Sequence, residues 1–139
     1  MKKIACLLIC SAVFTAALAV EKVETELERT MGDMNRAFRS LKKQVRDPVD
    51  FAGALASVAT LRKSTEAAMT REPAMTADKS PQAQPEFVAA YKQGVKAMLK
   101  VVDDLEVALK ANDAAKAVEL VGQLSSQQKE GHRKFKKPD

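Results

Sequence analysis

The chain has 139 residues, with 23 Lys and Arg against 18 Asp and Glu, which gives a formal net charge of +5. Residues of both signs are interspersed along the chain, so the charge does not require nucleic acid or an anionic membrane as a partner. The length suits one domain with a modest hydrophobic core.

The first nineteen residues have the three-part pattern of a secretory signal. Two lysines precede an apolar run over residues 4–16, and Ala17-Leu18-Ala19 forms a small-x-small cleavage site. The run is shorter than the ~20 residues that span a bilayer. We therefore expect cleavage after Ala19, export to the periplasm, and one mature domain over residues 20–139 that has no membrane association. Cleavage would also remove both cysteines, which leaves no thiol for a disulfide or a Cys-based metal site.

The first two helices are predicted from apolar residues that recur at alternating spacings of four and three. The first helix is expected over about residues 21–46, and its apolar stripe comprises Leu27, Met31, Met34, Phe38, Leu41 and Val45. Asp47 and Pro48 are expected to end it and to start the second helix, as the N-cap and the first-turn proline. The second helix should reach about Thr70.

The second half of the chain predicts a long loop and two more helices. Residues 71–84 contain prolines and short polar residues without a helical period, which is typical of a loop. Pro85 should open the third helix, and Asn112 and Asp113 should form a short turn. The fourth helix is expected over residues 114–136, and its inner face carries Ala117, Val121, Leu124, Gln128, His132 and Phe135. Four amphipathic segments with mostly short connections predict an all-α, antiparallel up-down-up-down four-helix bundle.

His132 is the only histidine in the chain, and the periodicity directs it inward. A buried imidazole needs a hydrogen bond or a metal, because burying it alone costs a few kcal/mol. The first helix begins at the end of the bundle where the fourth helix finishes, and it carries Met31. Met31 and His132 lie at the same position along the bundle axis only if residues 20–24 form a tail or a turn that extends beyond the bundle. A thioether and an imidazole form a known axial pair for haem iron.

Ordinary structural roles for the same two residues remain open at this point. A methionine on a helical stripe commonly fills a gap in the core. A histidine near a helix C-terminus is commonly exposed and interacts with the helix dipole.

Three segments carry a resemblance to a known family. The run Leu27-Glu28-Arg29-Thr30-Met31 resembles the opening helix of the cytochrome b562 family, in which a Leu-Glu-x-x-Met run supplies a methionine ligand. Asp78-Lys79-Ser80-Pro81, followed by Pro85-Glu86, is similar to the long loop of that family. Gly131-His132-Arg133-Lys134-Phe135 resembles its terminal aromatic-His-x-Lys-aromatic segment, with a glycine in place of the first aromatic.

The resemblance implies a periplasmic electron-transfer haemoprotein that binds one non-covalent haem b. Met31 and His132 would be the axial iron ligands. The residues expected to line the macrocycle are Leu27, Met34, Tyr91 and Val95. A covalent c-type attachment is excluded, because the two positions that would hold its cysteines are Gln128 and Gly131.

The main alternative is a haem-free helical protein of the envelope that acts as a chaperone or an adaptor. An enzyme is not expected, because the mature chain has no cysteine, no Gly-rich phosphate loop and a single histidine. The expected partners are haem and an unidentified redox protein, and the expected state is a monomer or a weak dimer. The basic run over residues 133–137 suits a helix C-terminus, or alternatively Lys136 and Lys137 steer an acidic partner.

Overall fold

The structure is a computed structural model that describes residues 26–46 and 49–137. It contains α1 (Glu26–Gln44), α2 (Phe51–Met69), a 3-10 helix (Ala74–Asp78), α3 (Gln84–Lys110) and α4 (Ala114–Phe135), with no strand in the described ranges. This confirms the all-α four-helix bundle. The proposed signal segment and the predicted start of the first helix lie outside the described residues.

The start of the second helix differs from the prediction. α2 begins at Phe51, and Asp50 is its N-cap: the Oδ1 atom of Asp50 accepts a hydrogen bond of 2.9 Å from the backbone N–H of Gly53. The prediction that Asp47 caps this helix is therefore wrong. The cap is Asp50, three residues further along the chain, and its side chain bonds a backbone N–H group that has no partner within the helix.

The long connection between α2 and α3 is more ordered than the sequence suggested. It contains the 3-10 helix Ala74–Asp78, and α3 then starts at Gln84 with Pro85 in its first turn. The short turn after α3 lies where it was predicted. Asn112 has a φ of 54°, a conformation that Asn tolerates well, and the Asp113 side chain accepts a hydrogen bond of 2.9 Å from the backbone N–H of Lys116.

The largest fully buried side chains lie mostly in the middle of the bundle and toward the end where α1 finishes, while Thr65 lies toward the opposite end. They are Leu41, Val58, Leu61, Thr65, Val102, Leu105, Leu109 and Leu124. On the surface, Arg62 of α2 forms ion pairs with Asp103 and Glu106 of α3. The hydrogen bonds from Lys110 and Arg62 lower the pKa of Glu106.

Among the described residues, no helix combines the length and the apolar character that crossing a membrane requires.

Candidate functional site

The seam between α1 and α4 differs from the other contacts of the bundle. α1 packs along α2, α2 along α3 and α3 along α4, whereas the backbones of α1 and α4 come close at few points. The seam is nevertheless bridged, because the Nε2 atom of Gln128 donates a hydrogen bond of 3.4 Å to the Oδ1 atom of Asn35. α1 and α4 are therefore neighbours that are held less tightly than the other three pairs.

The hydrogen bond between Asn35 and Gln128 fixes the relative level of the two candidate iron ligands. Met31 precedes Asn35 by four residues, and His132 follows Gln128 by four residues. Because the helices run antiparallel, both steps lead ~6 Å toward the same end of the bundle. Met31 and His132 therefore lie at one level on adjacent helices.

The two candidate ligands differ in burial. Met31 is half-buried and packs against the core, whereas His132 is exposed. The prediction that His132 faces inward is therefore wrong for its side chain. Around α4, His132 lies about 80° from Leu124 and about 60° from Phe135, at the edge of the buried arc. That edge faces the loosely packed seam, so α1 does not cover it.

The other predicted site residues have mixed surroundings. Leu27 is half-buried, one turn before Met31. Met34, Tyr91 and Val95 are buried among protein side chains, with exposed fractions of 7%, 4% and 8%. All of them lie in the half of the bundle that contains the start of α1 and the start of α3.

An aromatic cluster fastens the last turn of α4 to α3. The ring of Phe135 packs edge-on against Tyr91 and Phe87, with centroid distances of 5.5 and 5.3 Å. The Tyr91 hydroxyl donates a hydrogen bond of 3.1 Å to the backbone carbonyl of Ala68 on α2. The turn of α4 that carries His132 is therefore anchored on the α3 side.

Burial raises the pKa of Tyr91 to about 12, and this shift can be measured. Tyr91 is the only tyrosine and the chain has no tryptophan, so alkaline difference absorbance reports this group alone. We expect its ionisation midpoint near 12. Folding stability should be intact below the unfolded pKa of ~10 and should fall as the pH rises from ~10 to ~12, because the unfolded chain loses the proton first. A midpoint near 10 in the folded protein would contradict the buried position.

A narrow crevice lies one turn inward from the candidate ligands. It is lined by Met34, Phe38, Leu61, Met98, Leu124 and Gln128, and its volume of about 10 Å³ suits at most a single water molecule. Pockets for cofactor-sized ligands are typically ~300–1,000 Å³. The crevice is therefore too small for a haem, which would need more space between the described ends of α1 and α4 than the crevice provides.

The chemistry of this end suits a large apolar ligand that contains a metal. Several apolar side chains here are only half-buried, namely Leu27, Met31, Met69, Phe87 and Phe135. They come from the start of α1, the end of α2, the start of α3 and the end of α4. A thioether and an imidazole lie at one level beside them, which is a donor pair that iron in a porphyrin accepts. The residues present thus fit a haem.

Three residues near the candidate ligands were not predicted to belong to the site. Asn35 and Met98 were given no role there, and Gln128 was placed on the inner face of the fourth helix without one. The sequence does indicate that Asn35 and Gln128 lie near the candidate ligands, because each is four residues, or about one helical turn, from Met31 or His132. Phe135 was placed on the inner face but was not connected with Tyr91.

Gly131 precedes His132, and no packing in the structure requires a glycine there. A Cβ atom built at Gly131 meets nothing within 4 Å. We expect Gly131→Ala to raise the free energy of unfolding by about 0.5–1 kcal/mol, because glycine loses more backbone entropy in a helix. Urea denaturation of the haem-free protein measures this.

Gly53 offers the opposite case for the same experiment. A Cβ atom at Gly53 would collide with the Asp50 carboxylate that caps α2, so Gly53→Ala should lower stability. Equal effects at positions 53 and 131 would contradict this account of the two glycines.

The fold and the site define a class: four-helix bundles that bind a cofactor between facing helices. The family model of cytochrome b562 matches residues 26–136, and the chain belongs to the cytochrome b562 family. Members of this family are periplasmic electron carriers that bind haem b. A comparison with curated proteins found no match.

Proposed function

We propose that this protein carries single electrons by means of one non-covalent haem b held at the α1–α4 seam, with Met31 and His132 as axial ligands. The proposal rests on the observation that Met31 and His132 lie at the same position along the bundle axis. This follows from the hydrogen bond between Asn35 and Gln128. Family membership supports the haem. When bound, the haem supplies an iron centre that changes between two oxidation states.

The side chains of the two ligand residues have separate tasks. The His132 imidazole donates a nitrogen lone pair, and its exposed position leaves it free to turn toward the seam. The Met31 thioether donates a sulfur lone pair from the opposite helix, and this choice favours the reduced state relative to a second imidazole. Together the two side chains would hold the iron, and the haem would supply a one-electron redox centre.

The apolar side chains around the seam supply the remaining binding energy. Leu27 and Phe135 are half-buried, so they can gain buried area against a macrocycle, at ~25 cal/mol per Å². Met34, Tyr91 and Val95 already line the interior behind them. Because α4 is anchored on α3, we expect the opening to consist mainly of a displacement between α1 and α4.

The direct experiment is a haem titration of the protein purified from the periplasm. We expect a Soret shift that saturates at one haem per chain and a sharp low-spin spectrum after reduction. The absence of a Soret shift at stoichiometric haem would overturn the proposal. Sequencing the N-terminus of the same sample tests export, since cleavage after Ala19 would leave Val20 as the first residue.

The redox partner is expected to be acidic at its docking surface. The end of α4 is basic, and Lys137 is paired with Asp78 at 3.1 Å, so Lys137 is a weaker candidate for steering than the sequence suggested. In residues 26–46 and 49–137, no carboxylate lies within ion-pair distance of Lys129 or Arg133. The pKa of Glu130 is lowered by its direct partner Lys134, and the charge of Arg133 helps to lower it. The Lys129 and Arg133 side chains are exposed, and both lie within one turn of His132.

The prediction for this surface compares two variants with the same net charge. We expect Lys129→Gln with Arg133→Gln to slow electron transfer to a small anionic oxidant by about tenfold at low ionic strength, and to weaken the salt dependence. Lys43→Gln with Arg46→Gln removes the same charge at the other end of the bundle. Stopped-flow rates that fall equally in both variants would contradict local steering.

A further inference from the structure

The hydrogen bond between Asn35 and Gln128, which relates the levels of the candidate ligands, also lies at the wall of the narrow crevice. Both side chains are half-buried amides. Gln128 also forms part of the crevice wall, beside Met34 and Phe38. A polar residue at an apolar wall costs free energy unless its partner is present. The pair is therefore stable only when α1 and α4 keep the spacing that lets the amides meet.

The pair lies one turn inward from both candidate ligands. A displacement between α1 and α4 that opens the seam at Met31 and His132 must therefore either stop at this hydrogen bond or break it. Aromatic contacts anchor the far side of α4 on α3, and they do not restrain α1. The amide pair is thus placed to limit how far, and in which register, α1 can move relative to α4.

We propose that Asn35 and Gln128 are positioning residues: their hydrogen bond forms the inner limit of the haem site and keeps Met31 and His132 level. This inference rests on the proposed function and adds two residues that touch neither the ligand atoms nor the partner. The bond keeps α1 and α4 at a fixed separation on the inner side of the haem. The turns that carry Met31 and His132 move apart on its outer side. Without the bond, the helices can slide or spread, and the weaker thioether ligand is lost first.

The test uses Asn35→Leu, Gln128→Leu, and the exchanged pair Asn35→Gln with Gln128→Asn, which keeps both amides. The matched control is Ser57→Ala. It removes a comparable side-chain hydrogen bond of 2.7 Å from Ser57 to Gln44, which joins α1 to α2 at the other end of the bundle. The readouts are the five-coordinate fraction of the oxidised protein, the haem dissociation rate, and the unfolding of the haem-free protein.

We expect each leucine variant to raise the five-coordinate fraction and to speed haem dissociation by up to about tenfold, the size of effect that losing one side-chain hydrogen bond can have. The exchanged pair should restore the wild-type spectrum, and Ser57→Ala should leave it unchanged. In the haem-free protein, the effects of the two leucine substitutions should be non-additive, because they remove one shared bond.

The proposal is overturned if the leucine variants keep a wild-type spectrum, if the exchanged pair does not restore it, or if Ser57→Ala shifts it equally. Additive effects in the haem-free protein would also overturn it. A low-spin wild type with unchanged variants refutes the positioning role alone. A wild type that shows no Soret shift refutes the proposed function, and the positioning role with it.

Discussion

His132→Ala is expected to lower haem affinity by more than about 100-fold. His132 is the only histidine of the chain, so no second imidazole can replace it. Loss of an outer-shell partner of a metal ligand costs ~10–100-fold in affinity, and loss of the ligand itself should cost more. Competition of the variant and the wild type for limiting haem measures the ratio.

Lys129→Ala is the matched control for this substitution. Lys129 is also exposed on α4, three residues before His132, and shares its local helical environment. We expect its haem affinity to stay within a few-fold of wild type. If His132→Ala binds haem as tightly as this control, the histidine is not a ligand.

Leu105→Ala is expected to lower the free energy of unfolding by about 2–5 kcal/mol. Leu105 is fully buried on α3, so the substitution leaves a cavity in addition to the lost transfer free energy. Val107→Ala on the same helix should change stability by no more than ~0.5 kcal/mol, since Val107 is 68% exposed. Chemical denaturation of both variants gives the comparison, and similar losses would contradict the assigned core.

The fold was largely predictable because α1, α3 and α4 have clear apolar periods, whereas the period of α2 is weak. The stripe that contains Phe38 and Leu41, for example, marks the buried face of α1, and Asp113 marks the start of α4. The start of α2 was not predictable, since Asp47 and Asp50 are both good caps. The choice between them depends on where the chain leaves α1, and the backbone N–H of Asp50 donates there to the Gln44 carbonyl at 2.8 Å.

The sequence indicated where Met31 and His132 lie along their helices but not how exposed the His132 side chain is. Helical spacing and antiparallel packing were enough to bring Met31 and His132 to the same end of the bundle. Whether the His132 side chain is covered depends on the separation of α1 and α4. The apolar pattern of one helix does not determine that distance. The anchoring of Phe135 against α3 is likewise a contact between distant parts of the chain, which local periodicity cannot reveal.

Met31 and His132 are tested most directly as iron ligands by the visible spectrum of the reduced, haem-loaded protein in wild type, Met31→Ala and His132→Ala. We expect a sharp low-spin spectrum in the wild type that is lost in both variants. If only His132→Ala loses it, Met31 is not a ligand and Met34, three residues along α1, is the candidate to replace it. A sharp low-spin spectrum that survives in His132→Ala would show that His132 does not hold the iron.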